Sequence, residues 1–310
     1  MRWGNLLNEV MPVEEHGGML FKRDDKFAPR GYGSINGAKL RQCIYLVDKW
    51  VREDGCTGVS SGSVSQSPQH IFIAAICNHY NIHCYVVTGV ADPMKHKYLR
   101  MAHEEGATIS RSKVGYAAAC GAIAKKSAEK WEGFKYLETN ITLDSKKNYW
   151  GDIEAFHRVG SLQSVNIPDH VTTLIVPCGS CNSITSILYG LVQHPRPNLE
   201  RIVLLGIGNI GSKNIEYVYE RLFKLCKVVD IDIRGLFNFK GEQDYQYEIE
   251  HHDLNGTGFC KYTDEFRERI DTIEFHPRYE GKCIRYMKQN LQHYMNMNTL
   301  FWIVGSDIKW

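Results

Sequence analysis

The sequence lacks an apolar run long enough to span a bilayer. Its hydrophobic segments are short and strand-like, which argues against a helical membrane protein and against a membrane partner. It also lacks a surplus of either charge. With 37 Lys+Arg against 35 Asp+Glu the formal net charge is +2, so the electrostatic footprint of a dedicated nucleic-acid binder is missing. Repeats and low-complexity tracts are absent. The ten cysteines have no regular spacing, and no second Cys/His pair joins Cys178-x-x-Cys181 to make a structural zinc set, so no metal is expected. His251-His252 reads as surface. The start, Met1-Arg2-Trp3-Gly4, does not read as a signal peptide; reduced thiols and a cytoplasmic location are the expectation.

What is present is an alternation of strands and helices in a chain of 310 residues, long enough for two domains. Met19-Leu20-Phe21 followed by Lys22-Arg23-Asp24-Asp25 reads as a short strand running out to the surface. The glycine-rich stretch Gly31 to Gly37 then gives way to a helix, because Leu40, Cys43, Ile44, Val47, Trp50 and Val51 recur at helical spacing. Lys39 stands at that loop-to-helix junction among small residues. Two readings stay open there: a solvated first-turn lysine, or an amine that holds an aldehyde cofactor as a Schiff base, with desolvation or a neighbouring cation lowering its pKa.

Further on, Cys56 to Ser60 reads as a strand, Ser61 to Pro68 as a hydroxyl-rich loop, Gln69 to Tyr80 as a helix and His83 to Val87 as a strand. This βαβ unit sets its loop at the carboxyl end of a strand, where ligands collect. Shorter elements follow to Leu137, and the polar stretch Asn140–Tyr149 marks a domain crossing. Val171 to Pro177 is a buried strand leading through Cys178-Gly179-Ser180-Cys181-Asn182-Ser183 into a helix. Small residues there let backbone amides surround a phosphate, although no P-loop lysine follows and a plain strand-to-helix turn has the same form. Cys178 and Cys181 stand at that helix start, a position that depresses a thiol pKa. Residues 235 to 260 read as irregular and charged, a flap or an oligomer contact.

A loop lysine, a hydroxyl-rich loop and a small-residue cup, in that order, resemble the fold type II pyridoxal-phosphate (PLP) enzymes, the tryptophan synthase β-like family. Within that family the chain resembles the aminocyclopropane-carboxylate deaminase and D-cysteine desulfhydrase branch. Pro12-Val13-Glu14 and Lys22-Arg23-Asp24-Asp25 are similar to its opening segments, and Lys39-Leu40-Arg41-Gln42 to its cofactor-lysine run. Gln66-Ser67 matches its Gln-Ser-Asn loop, with Pro68 in place of the asparagine. Gly179 to Ser183 resembles its phosphate loop, and His276-Pro277-Arg278-Tyr279-Glu280-Gly281-Lys282-Cys283 resembles a run near its end. The branch's catalytic Gly-Tyr-Gly element corresponds here to Gly258-Phe259-Cys260, and its last hydroxyl-bearing run to Leu300 through Ser306.

The resemblance implies an α/β fold class, a two-domain PLP fold type II with each domain an open, mostly parallel sheet flanked by helices. Residues 1–49 and 150–310 would form the large cofactor domain and 50–149 the small one. It implies PLP as cofactor, with Lys39 as Schiff-base lysine and proton carrier. Gly179, Ser180, Cys181, Asn182 and Ser183 would bind the phosphate, and Ser306 the pyridine nitrogen. Ser65, Gln66, Ser67 and Gln69 would take a substrate carboxylate, with Arg41 and His70 as further candidates. Since Phe259 cannot move a proton, Tyr262 is the candidate catalytic tyrosine, and ring-opening deamination is not expected. The implied activity is that of a lyase working at Cα or Cβ of an amino acid, in a homodimer. Two other readings stand beside it: the same chemistry on an amino acid attached to a larger carrier such as a modified nucleic-acid base, with Trp302, Lys309 and Trp310 at a carrier-binding end; or a non-catalytic relic of the fold.

Overall fold

The computed structural model describes residues 3–138, 150–207, 214–239 and 245–309. Two strands, β1 (Val13–His16) and β2 (Met19–Arg23), precede helix α1 (Ala38–Glu53). Strict alternation follows: β3 (Gly58–Gly62), α2 (Gln69–Tyr80), β4 (His83–Thr88), α3 (Lys97–Glu104), β5 (Thr108–Arg111), α4 (Ala117–Ala128) and β6 (Phe134–Tyr136). Next come α5 (Trp150–Ser161), β7 (Thr173–Cys178), α6 (Asn182–Gln193), β8 (Arg201–Gly206) and α7 (Asn214–Val228). The chain closes with β9 (Phe237–Asn238), β10 (Tyr247–Asp253), the ribbon β11 (Arg269–Ile270) and β12 (Ile273–Glu274), α8 (Glu280–Asn290) and β13 (Thr299–Ile303).

Two compact units result, Met1–Leu7 with Gln42–Asp144, and Asn8–Arg41 with Ser145–Trp310. The division falls in the first turn of α1, so residues 42–49 and the N-terminal seven go with the smaller unit. Local contacts explain this: the Tyr80 hydroxyl donates to Asp48 Oδ1 at 2.7 Å, and Trp3 stacks on His79 with ring centroids 4.4 Å apart. The crossing expected at 140–149 lies outside the described residues, as does Trp310.

The smaller unit holds a four-stranded, wholly parallel sheet in the order β5-β4-β3-β6. The larger holds seven strands in the order β1-β2-β13-β7-β8-β10-β9, parallel except for the β1–β2 hairpin. Alternation along its inner strands feeds two separate cores, as expected of a sheet covered on both faces. Leu174, Val176, Leu300 and Trp302 pack on one side with α6 and α7, while Ile175, Phe301 and Ile303 pack on the other with Ile284 and Met287 of α8. Each such fully buried side chain contributes about 1.5–3 kcal/mol. Among the described residues no helix is long and apolar enough to cross a membrane, and all ten cysteines are buried and free.

Two expectations are corrected. The charges after Phe21 turn inward: Lys22, Arg23, Asp24 and Asp25 are all buried. Residues 235–260 are not wholly irregular, because β10 pairs with β8 over six residues. Its charged sequence is accommodated because most of its positions are half-buried. His251 and His252 therefore belong to this strand, with His252 Nε2 2.6 Å from Glu250 Oε1. Residues 240–244 of that stretch lie outside the described residues.

Candidate functional site

Because β2, β13, β7 and β8 run parallel, the segments leaving their carboxyl ends gather along one edge of the larger sheet. Lys39 is brought there by its own neighbours. Gly37 has φ +97°, and a Cβ on it would lie 2.5 Å from Val304 O, so only glycine permits this approach. Ala38 N then donates to Val304 O at 2.9 Å, tying the first turn of α1 to the end of β13. Asn36 clamps the same segment from the other side, its Oδ1 accepting from Ser306 N at 2.8 Å. Half-buried Lys39 and Ser306 thus sit at one strand end.

The neighbouring strand β7 delivers the cup. Gly179 and Ser180 lead to Cys181, which adopts φ +65° and opens α6 with Asn182 and Ser183. Beneath them lies Arg221, 1% exposed, whose Nη1 donates to Asn182 Oδ1 at 2.6 Å and to Ser180 O at 3.2 Å. With its oxygen so engaged, Asn182 turns its Nδ2 the other way, and that buried donor has no partner among the described residues. Cys178 and Cys181 bring their sulfurs to 3.5 Å, and this hydrogen bond holds the Cys181 thiol below its ordinary pKa. An unmatched amide donor above a buried guanidinium, at the start of a twelve-residue helix, is suited to an anion.

Two residues that the sequence reading passed over complete this edge. Glu280 begins α8 fully buried, and its Oε1 accepts from Val304 N and Gly305 N at 3.2 and 3.3 Å. Its Oε2 is buried with no partner among the described residues, and burial pushes its pKa up to about 8. The next residue back, Tyr279, shares a hydrogen bond with Tyr262, hydroxyl to hydroxyl, at 3.1 Å. A sequence signal existed in the Tyr279-Glu280-Gly281-Lys282 run, but nothing in it marks a carboxyl that becomes completely buried. Tyr262 is therefore coupled to the Glu280 helix start, whereas half-buried Phe259 packs against Phe266 and Tyr286 at the margin of the core.

Arg41 is not a surface contact. It is wholly buried, stacked over Phe27 and bonded to Asp24 Oδ1 at 3.1 Å, and Asp24 Oδ2 accepts from Trp302 Nε1 at 2.9 Å. Trp302 accordingly cannot form part of a carrier-binding end, being 0% exposed within β13, and Lys309 pairs with Glu274. Lys22 lies beside the same network, donating to Met11 O and Asn166 Oδ1, and burial lowers its pKa to about 8.

In the smaller unit the loop after β3 keeps Ser65 and Gln66 half-buried and Ser67 buried. Gln69 and His70 point inward and brace it. Gln69 Nε2 donates to Ser61 Oγ at 3.0 Å, and His70 Nε2 lies 2.9 Å from Val64 O. Gln69 is thus a support of this loop rather than a group presented to solvent. Pro68 occupies the position before α2 in helical conformation.

Known proteins share this fold. No family model matches the chain. A protein of Salmonella phage ViI named O-seryl-dTMP PLP-dependent decarboxylase is 35% identical over 328 aligned positions, covering 92% of this chain and 77% of the relative. Among solved structures, an ACC deaminase homologue superposes with a TM-score of 0.70 at 13% identity, covering 98% of this chain and 91% of that one. Diaminopropionate ammonia lyase from Escherichia coli gives a TM-score of 0.62 at 10% identity over 99% and 89% of the two chains. The O-acetylserine dependent cystathionine β-synthase from Helicobacter pylori gives 0.60 at 11% identity over 100% and 96%.

Proposed function

The chain belongs to the fold type II, tryptophan synthase β-like PLP enzymes, and from that premise we propose that it is a lyase acting on an amino acid carried by a pyrimidine nucleotide. The observation that carries the substrate class is the 35% identity, over 92% of this chain, to the protein named for O-seryl-dTMP decarboxylation. The carrier-linked reading thereby replaces a free amino acid as the preferred substrate.

The residues present fit the cofactor. Lys39 offers the amine, and the amides of Gly179 to Ser183 with the unmatched Asn182 Nδ2 suit its phosphate. Ser306 or the unmatched Glu280 Oε2 suits its ring nitrogen. When bound, PLP supplies the sink for the electron pair left at Cα when a bond to that carbon breaks. The remaining work belongs to the chain. Lys39 carries a proton to or from Cα, and the Tyr262–Tyr279 pair holds a second hydroxyl proton beside Glu280. Ser65, Gln66 and Ser67 orient the carboxylate with hydroxyls and an amide. None of the three is a cation, and an ion pair there would stabilise the charge that decarboxylation removes, raising the barrier.

In the proposed reaction the bond from Cα to the carboxylate breaks, carbon dioxide leaves, and a proton replaces it at Cα. Serine joined through its oxygen keeps its Cβ–O bond, so the amine product stays on the nucleotide. The same reading carries a cytoplasmic setting, in keeping with ten buried free thiols, and a homodimer, which sedimentation would check. The test is mass spectrometry of O-seryl-dTMP incubated with PLP-loaded protein. Loss of carbon dioxide with the nucleotide retained is expected. Release of the nucleotide with pyruvate would instead assign β-elimination, and turnover of free serine alone would overturn the carrier-linked substrate.

A further inference from the structure

The smaller unit carries an exposed aromatic and basic segment that the proposed chemistry leaves unused. It runs from Arg111, the last residue of β5, through the loop Ser112-Lys113-Val114-Gly115-Tyr116 to α4. Tyr116 is 78% exposed, the most exposed large hydrophobic side chain among the described residues, and Val114 beside it is 43% exposed. Arg111 and Lys113 are exposed too, and among the described residues neither makes an ion pair. An exposed aromatic ring with an apolar neighbour and two cations close to it in the chain offers a surface suited to a flat, negatively charged ligand.

The loop is held in place by backbone contacts. Ser112 N donates to Thr88 O at 2.7 Å, Val114 N to Ser112 Oγ at 3.1 Å and Cys120 N to Tyr116 O at 3.1 Å. A Cβ on Gly89 would lie 2.2 Å from Gly115 Cα, so the loops after β4 and β5 run backbone against backbone. The same chain of contacts reaches the candidate carboxylate loop. A Cβ on Gly62, the last residue of β3, would lie 2.1 Å from Cys120 O, which puts the first turn of α4 over the start of the Ser63–Pro68 segment. On the other side Gln66 Nε2 is 3.3 Å from His96 Nδ1, joining that segment to the loop after β4. The one acidic side chain on the β4 loop, Asp92, is paired with Lys95. Three loops at the carboxyl edge of one parallel sheet therefore form a continuous surface, with hydroxyls and an amide at one end and an aromatic ring with two cations at the other.

Building on the carrier-linked reading above, we propose that Tyr116 and Val114, with Arg111 and Lys113, bind the nucleotide part of the substrate, a thymine-type pyrimidine 5′-monophosphate. The Tyr116 ring stacks on the base, and Val114 offers an apolar contact of the kind that suits a pyrimidine methyl group. Arg111 and Lys113 together match the near-dianionic charge of one phosphate. The fixed loop backbone lowers the ordering cost of that contact. Two cations suit one phosphate, which favours a mononucleotide over a strand.

The test is titration calorimetry of the PLP-loaded protein with dTMP, thymidine, inorganic phosphate and oligothymidylate. dTMP should bind more tightly than thymidine or phosphate. Tyr116→Ala should weaken dTMP about tenfold or more, while Tyr116→Phe keeps most of the affinity. The pair Arg111→Gln with Lys113→Gln should erase the advantage of dTMP over thymidine and flatten its salt dependence. Lys126→Gln, farther along α4, should change nothing. Unchanged dTMP affinity in Tyr116→Ala, or oligothymidylate binding far more tightly than dTMP, would overturn the assignment. Turnover of O-seryl-dTMP with unaffected dTMP binding in these variants would sink this inference alone. Tyr116-dependent dTMP binding without such turnover would instead sink the reaction reading and leave the binding surface standing.

Discussion

At the end of β2, Lys22, Arg23, Asp24 and Asp25 are at most 5% exposed, whereas at the end of β5 Arg111 and Lys113 stand in water. Both segments follow a short strand at the carboxyl edge of a parallel sheet, and both are rich in charge. The difference lies in sign. The first carries two cations and two anions, and Arg41 and Trp302 supply the remaining partners; the second carries cations only. Burial of charge is tolerated where opposite charges are buried together and is costly where one sign stands alone. The first edge is thereby built into the fold as a support for the first turn of α1, through Arg41, and the second stays exposed.

The largest effect on stability is expected from Asp24→Ala. It removes the acceptor of both Arg41 Nη1 and Trp302 Nε1, leaving a guanidinium stranded in the core. Urea unfolding should show a loss of about 3–5 kcal/mol. A loss below about 1 kcal/mol would mean that the network is not the support described here.

A second effect depends on pH. The Glu280 carboxyl has a raised folded-state pKa of about 8 because it is buried, so between its unfolded value and about 8 the folded chain binds the extra proton. Its contribution is complete below the unfolded pKa and is lost as pH rises through about 8, by a few kcal/mol with about 5 as the ceiling. The thermal unfolding temperature of the cofactor-free protein should fall from pH 5 to pH 9, and Glu280→Gln should flatten that slope. Parallel profiles for the two proteins would place the titration elsewhere.

The smallest effect sharpens the contrast. Arg111→Gln and Lys113→Gln should each change unfolding free energy by no more than about 0.5 kcal/mol, since neither side chain is buried or paired among the described residues. A substantial loss in either would show that the β5 edge is structural after all.

Much of this is legible in the amino-acid sequence. The Lys39 junction, the small-residue turn after Val176 and the hydroxyl-rich loop after β3 announce themselves through local spacing, and local spacing is what a sequence displays directly. The inward turn of Lys22 to Asp25 was not legible, because it depends on Arg41, 17 positions on from Asp24, and on Trp302, 278 positions on. Strand β10 was missed for a related reason. Glu248, Glu250, His251 and His252 look like a solvated run, yet pairing with β8 leaves three of the four only half-buried and satisfies the backbone. Glu280 reads as an ordinary first-turn acid until the end of β13 closes over it.

Lys39, whose neighbours Gly37 and Ala38 are held at the end of β13, is the residue we propose to carry PLP. Borohydride reduction of the loaded protein, followed by proteolysis and peptide mapping, tests it directly. The pyridoxyl group should be recovered on the peptide containing Lys39 and should disappear from that peptide in Lys39→Ala. Recovery on another lysine of the unmodified protein, or on none, would rule out Lys39 as the cofactor lysine.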